Sequence, residues 1–156
     1  MTTLGVYVHF PWCLKKCPYC DFVSFAKKRE EIDHRAYSDA VLREIDARTA
    51  GFPELEIVSL FFGGGTPSLW EPKELGRVIA SLKARTRADV EVTIECNPTS
   101  LDESRARAFV DAGITRFSIG TQSLDQKELA YLGRLHDGPL AEAAIRGALA
   151  TRARVS

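Results

Sequence analysis

The chain has 156 residues, 45% of them hydrophobic, which is enough apolar material for the core of one ordinary domain. Its 21 basic and 21 acidic side chains cancel, so nothing in the composition suggests a nucleic-acid or anionic-membrane surface. No apolar run approaches the ~20 residues of a membrane span, and Met1 leads into "TTLGVYVHF" without a signal-peptide pattern. A cytoplasmic protein with reduced thiols is therefore expected. Clustered cysteines in that setting serve more often as ligands or redox groups than as disulfides.

Strand and helix patterns alternate along the chain. "GVYVHF" (5–10) reads as a first strand and runs directly into "PWCLKKCPYCDF". Residues 34–50 carry Tyr37, Ala40, Val41 and Ile45 at helical spacing, with Gly51 as a stop. "EIVSLFF" (56–62) is a nearly continuous apolar strand that runs into Gly63-Gly64-Gly65. A second helix has Pro72 near its first turn and Leu75, Val78, Ile79 and Leu82 on one face. "DVEVTIE" (89–95) is a third strand, closed by Asn97-Pro98. A third helix, roughly 102–112, stops at Gly113, and "TRFSIG" (115–120) is a fourth strand. A short helix near 125–132 and a longer one from about Pro139 to Arg152 follow.

Apolar strands alternating with helices imply an α/β fold of parallel βαβ units, either a barrel or an open doubly wound sheet. The residues of chemical interest fall just after strands: cysteines, then glycines, then Glu95, then Gln122. In parallel α/β architectures that carboxyl edge is where sites are built. A fifth strand should start at "ARVS", which leaves the outer edge of the fourth strand unpaired. Residues 1–156 read as the N-terminal part of a core domain, with further barrel units and a C-terminal domain beyond.

Three of the four cysteines, Cys13, Cys17 and Cys20, lie within eight residues. Three thiolates can hold three irons of a four-iron cluster and leave the fourth open to an exogenous ligand. Thiolates also suit zinc and copper(I). A zinc site would need a fourth ligand, for which Cys96, His9 or His34 could be proposed. Zinc sites usually use two C-x2-C-like pairs and only one is present, so the spacing favours the cluster.

Cys-x3-Cys-x2-Cys after a first strand, with Tyr19 before the third cysteine, resembles the radical S-adenosylmethionine (SAM) superfamily. The resemblance implies a six-unit parallel (βα) partial barrel, of which about four units are present here. It implies a [4Fe–4S] cluster on Cys13, Cys17 and Cys20, with SAM chelating the open iron through its amino and carboxylate groups. One electron from the reduced cluster then cleaves the sulfonium to a 5′-deoxyadenosyl radical.

"FFGGGTPSLW" (61–70) lacks the Lys of a phosphate loop and the spacing of a dinucleotide fingerprint. Three glycines in a row let a ligand approach the main chain. The resemblance implies that Gly64, Gly65 and Thr66 bind the SAM amino group. The Gly-Gly-Gly-Thr-Pro form is similar to the branch containing the oxygen-independent coproporphyrinogen III oxidases. Glu95 ends an apolar strand, where a buried carboxylate needs a partner. The resemblance makes it, Gln122 and Arg134 SAM contacts, with Tyr7 and Tyr19 beside the cluster and SAM. On residues alone, Arg134 would be a solvated helix residue and Tyr7 a core aromatic. Cys96 reads as a small core residue and His9 as a satisfied strand histidine. His34 and His136 have no role beyond the surface or the motif.

Oxidases of this branch usually carry a further cysteine in a C-x-C arrangement with the third, and an N-terminal extension. Here Asp21-Phe22 follow Cys20 and the first strand begins near Met1. Both features, and "GRLH" (133–136), are similar to the branch's heme chaperones. The resemblance thus implies a protein that binds a cluster, SAM and heme, the last as cargo for heme-accepting proteins, including membrane-bound ones approached peripherally. An electron donor such as a flavodoxin or ferredoxin is implied too, and nucleic acid is not. The alternative is a decarboxylating coproporphyrinogen III oxidase. No catalytic residue is assigned, and the heme determinants and a last SAM-binding aspartate are expected beyond Ser156.

Overall fold

A computed structural model describes residues 2–52 and 54–156. In chain order these are β1 (Thr2–Phe10), β2 (Trp12–Cys13), β3 (Phe25–Ala26), α1 (His34–Thr49), β4 (Leu55–Gly64), α2 (Pro72–Lys83) and β5 (Thr86–Cys96). α3 (Glu103–Asp111), β6 (Arg116–Ile119), α4 (Gln126–Tyr131), α5 (Gly138–Leu149) and β7 (Arg154–Val155) follow. Three short 3-10 turns, at Arg29–Glu31, Pro67–Leu69 and Pro98–Ser100, join them.

The main sheet has the order β1-β4-β5-β6-β7, and every pairing in it is parallel. Each crossover adds its strand on the same side, so the order never reverses. A doubly wound sheet would reverse at a switch point. Stepwise addition is how a barrel grows, and this decides between the two architectures open to the sequence. The fold is α/β of the partial-barrel kind.

Alternation along each strand sends Val8, Phe10, Leu60, Phe62, Val92, Ile94 and Phe117 into a single core with the helices. Leu75, Val78, Ile79 and Leu82 of α2 and Phe109 of α3 meet them there, all essentially without solvent contact. The opposite sheet face carries Tyr7, Phe61, Glu95 and Ser118. Four of the five helices start at an aspartate whose carboxylate accepts a first-turn amide: Asp33, Asp102, Asp125 and Asp137. The fifth, α2, starts on Pro72.

Two expectations need correction. The outer edge of β6 is not open: Arg116 and Phe117 pair with Arg154 and Val155, and the Ser156 amide donates to the Phe117 carbonyl at 3.0 Å. The glycine run does not simply follow its strand either. Gly63 and Gly64 remain in β4, in register with His9 and Phe10. One element was unforeseen. β2 and β3 form a two-residue parallel ribbon that closes the cysteine loop at its root.

Candidate cofactor site

The loop that carries the three thiols is fixed at both ends by the main chain. The Phe25 amide donates to the Pro11 carbonyl and the Lys27 amide to the Cys13 carbonyl, both at 2.8 Å. Inside the loop the Cys20 amide donates to the Cys17 carbonyl at 3.1 Å, a turn that brings these two residues together. Cys13 is buried, and Cys17 and Cys20 are half-buried. All three thiols are free and line one cavity of about 390 Å3 at the carboxyl edge of the sheet.

Gly64, Gly65, Thr66, Glu95, Gln122 and Arg134 line the same cavity, as does Tyr19. The structure thus brings ten of the eleven candidate residues to one space. Tyr7 stands apart from it. Its ring stacks on Phe61, its hydroxyl meets His9 Nδ1 at 3.0 Å, and it borders a separate groove between β1 and α1. It is nonetheless a neighbour of Glu95: a methyl group on Gly63 would come within 3.0 Å of both.

The glycine run serves the protein's own packing first. Gly64 has φ +111°, and a Cβ there would sit 2.8 Å from the His9 ring. At Gly65 a Cβ would lie 2.6 Å from the Trp12 carbonyl. The run's amides are also taken. Gly65 donates to the Phe10 carbonyl, Thr66 to the Trp12 carbonyl, and Gly64 to Glu95 Oε2 at 3.2 Å. The end of β4 is therefore joined to the root of the cysteine loop. Glu95 finds its partner in Gly64; burial pushes its carboxyl up, and the Gly64 amide pulls against that.

Arg134 is no solvated helix residue. It follows α4, and its guanidinium donates to the Gly120 carbonyl at 2.6 Å and to the Tyr19 hydroxyl at 3.3 Å. It also lies 3.7 Å from Cys17 Sγ. Its Nε is buried with no hydrogen-bond partner.

The proposed fourth zinc ligands are all engaged elsewhere. His9 Nε2 donates to the Val23 carbonyl at 2.7 Å, and its other nitrogen meets Tyr7. His34 Nδ1 accepts from the Glu71 amide at 3.4 Å. Cys96 is buried, its sulfur 3.8 Å from the Ile94 carbonyl, and burial pushes its thiol up. Among the described residues no three His, Cys, Asp or Glu side chains are grouped to hold a single ion. A cubane asks for a different arrangement, in which each thiolate binds its own iron and no single ion is shared.

Sequence reasoning missed two residues of this edge. Arg105 of α3 donates to the carbonyls of Ser68, Leu69 and Trp70 at 2.8–3.0 Å, while Ser68 Oγ bonds Ser100 Oγ and accepts from the Asn97 amide. The loops after β4 and β5 are stapled together by these bonds. His136, 3% exposed, bonds the Thr121 carbonyl. The only available signal for it was its spacing from Arg134.

The family model for the Radical SAM superfamily matches residues 7–154. The chain belongs to the radical SAM superfamily. Among curated relatives, this radical SAM chain is 41% identical over 138 residues to the heme chaperone HemW of Escherichia coli strain K12, covering 87% of the chain and 36% of that protein. It is 44% identical over 136 residues to the mitochondrial radical S-adenosyl methionine domain-containing protein 1 of Bos taurus, covering 85% and 30%. Among solved structures, the coproporphyrinogen III oxidase HemN of Escherichia coli, described as a radical SAM enzyme, superposes with a TM-score of 0.83 at 26% identity. That match covers 94% of the chain and 34% of HemN. The chain spans about a third of the length of the relatives it matches. No helix among the described residues is long and apolar enough to cross a membrane.

Proposed function

We propose that the chain is the front of a radical SAM core that carries a [4Fe–4S] cluster on Cys13, Cys17 and Cys20 and SAM beside it, within a heme chaperone. The observation that carries the cofactor reading is the meeting of three thiols, the Gly64–Thr66 run, Glu95 and Arg134 on one cavity. The residues fit the two cofactors. Arg134 brings an unpartnered buried donor, and a guanidinium is suited to a carboxylate. Because the amides of the glycine run are engaged, the run offers carbonyl oxygens to a ligand ammonium, with the Glu95 carboxylate next to them. When bound, the cluster supplies single-electron reduction of SAM. The chain's own part is to seat the ligand's amino end at Gly64–Thr66 and Glu95, and its carboxylate at Arg134 and Gln122, with Tyr19 at the margin and Tyr7 outside the cavity beside Glu95.

Within the family, the chaperone reading rests on Asp21-Phe22 standing where a C-x-C cysteine would be, and on the identity to HemW. It implies heme as cargo, heme-accepting proteins as partners and a cytoplasmic site, with a flavodoxin or ferredoxin as electron donor. Membrane-bound acceptors would be met at the surface of the bilayer. A second reading, a porphyrin-biosynthetic oxidase, is supported by the likeness to HemN. One assay on the full-length protein separates them. Incubated anaerobically with SAM, reductant and coproporphyrinogen III, the chaperone releases no carbon dioxide and binds heme stoichiometrically. Turnover of the porphyrinogen would overthrow the chaperone reading and promote the oxidase.

The SAM placement has its own test. Glu95→Ala is expected to weaken SAM binding by about 1–3 kcal/mol, the loss of a hydrogen bond to a charged group in a partly dry site. Equilibrium dialysis against labelled SAM reads this directly, and unchanged affinity would remove Glu95 from the site.

A further inference from the structure

We propose that His136 is a positioning residue for Gln122: its ring holds the backbone turn from which the Gln122 side chain reaches the cofactor cavity. The inference rests on reading that cavity as the SAM site.

Gln122 is the one non-glycine residue with positive φ (+69°) among the described residues. A left-handed backbone is unfavourable for a side chain of this kind and persists where the surroundings over-determine it. The surroundings here are specific. On the N-terminal side, the Gly120 amide donates to the Cys96 carbonyl at 2.8 Å, and the Gly120 carbonyl accepts from Arg134 at 2.6 Å. The Thr121 carbonyl, immediately before Gln122, accepts from His136 Nε2 at 3.0 Å and from the Ser123 amide at 2.9 Å. On the C-terminal side, Ser123 Oγ bonds Glu128 and accepts from the Asp125 amide, which ties the turn to the start of α4. Two side chains two residues apart, Arg134 and His136, thus hold two successive carbonyls of the turn.

The histidine is placed for this and for little else. A carbonyl can only accept, so Nε2 carries the proton and Nδ1 is bare; Nδ1 is buried and has no partner. Burial pushes the imidazole down from its usual range, which keeps it in the neutral form that donates to Thr121. The other end of the device is the Gln122 amide, which folds over Gly120: its Nε2 lies 3.2 Å from where a Cβ on that glycine would be. With the Thr121 carbonyl held, the Thr121–Gln122 peptide plane is fixed, and the φ of Gln122 then sets the direction in which its side chain leaves the turn toward the cavity.

The test is a double-mutant cycle on the anaerobically reconstituted protein, read as SAM affinity by equilibrium dialysis and as the SAM-induced change in the cluster's electron paramagnetic resonance spectrum. Gln122→Ala is expected to weaken SAM about tenfold, the order of one hydrogen bond to a charged ligand. His136→Leu fills the ring's space without a donor and is expected to cost a similar factor. Combined with Gln122→Ala it should cost nothing further. His136→Gln can present an amide donor to Thr121 and is expected to bind SAM within about twofold of the unsubstituted protein, a rescue that lost packing alone would not produce.

Losses that multiply in the double variant, or a His136→Gln no better than His136→Leu, would overturn the positioning role while the SAM site stands. If His136→Leu does not fold, His136→Gln decides alone: near-native affinity supports the role and a tenfold loss overturns it. Failure of the unsubstituted protein to bind SAM, or full affinity in Gln122→Ala, would instead overturn the reading of the cavity, and the inference with it.

Discussion

Anaerobic reconstitution with iron and sulfide is expected to load about four irons and four sulfides per chain, and Cys13→Ala, Cys17→Ala and Cys20→Ala are each expected to abolish this loading. The loop offers three thiols for three of the four irons and no spare, so each is needed. The other cysteine is a built-in control. Cys96 closes part of the same cavity wall, yet its sulfur is turned to the Ile94 carbonyl and burial keeps it a thiol. Cys96→Ala should therefore load normally. Iron and sulfide assays with the visible absorption spectrum check all four variants. Stoichiometric zinc without iron in the reconstituted protein would refute the cluster and restore the mononuclear alternative.

Trp70→Ala is expected to lower stability by about 3–5 kcal/mol, the usual cost of deleting a fully buried large aromatic. Folded domains have only about 5–15 kcal/mol in hand, so the substitution would remove a large share of the stability and shift the urea midpoint well down. Trp70 has no solvent contact. It packs against Phe10 at 5.4 Å, Tyr37 at 4.7 Å and Phe62 at 6.1 Å between ring centroids. Its indole N–H donates to Ser38 Oγ at 3.0 Å, and its carbonyl accepts from Arg105. One side chain thus joins β1, β4, α1 and the turn after the glycine run. Trp70→Phe keeps most of the ring contacts and loses the indole donor, so it should cost clearly less. Urea unfolding followed by circular dichroism ranks the two. A Trp70→Ala protein with an unchanged midpoint would mean that the aromatic cluster is not the keystone of this end of the barrel.

Much of the fold was legible because its signals are periodic. Leu75, Val78, Ile79 and Leu82 mark one helix face, and the apolar run "EIVSLFF" marks a strand, with Ile57, Leu60 and Phe62 buried. Strand order was not legible: it depends on which side each helix packs, and no local pattern carries that. The ribbon at the loop root escaped for the opposite reason. Phe25-Ala26 is a two-residue strand with both side chains exposed, so it has neither the length nor the alternation that marks a strand. At the site, the cysteine spacing alone pointed to a metal centre, whereas Glu95 needed its end-of-strand position and Gln122 and Arg134 needed the family resemblance. Arg105 could not be seen, and His136 showed only as the histidine of the Arg-x-His spacing, with no role attached. A single polar residue buried beneath a turn, or folded inward from a helix to meet carbonyls, is chosen by tertiary contacts and leaves no repeat in the sequence.

The hydrogen bonds at the root of the cysteine loop bear on how the protein is loaded. In a zinc finger the ion closes the chain, and removing it unfolds the domain. Here Pro11 and Cys13 accept from Phe25 and Lys27, so the two ends of the loop are held without metal and the closure entropy is already lost on folding. Under the proposed cluster reading, loss of iron would slacken the span between those ends and leave the root bonds in place. A group held by the three thiols would thus hang on a loop already anchored to the sheet, and exchanging it would call for movement of that loop alone and not of the strands beneath it.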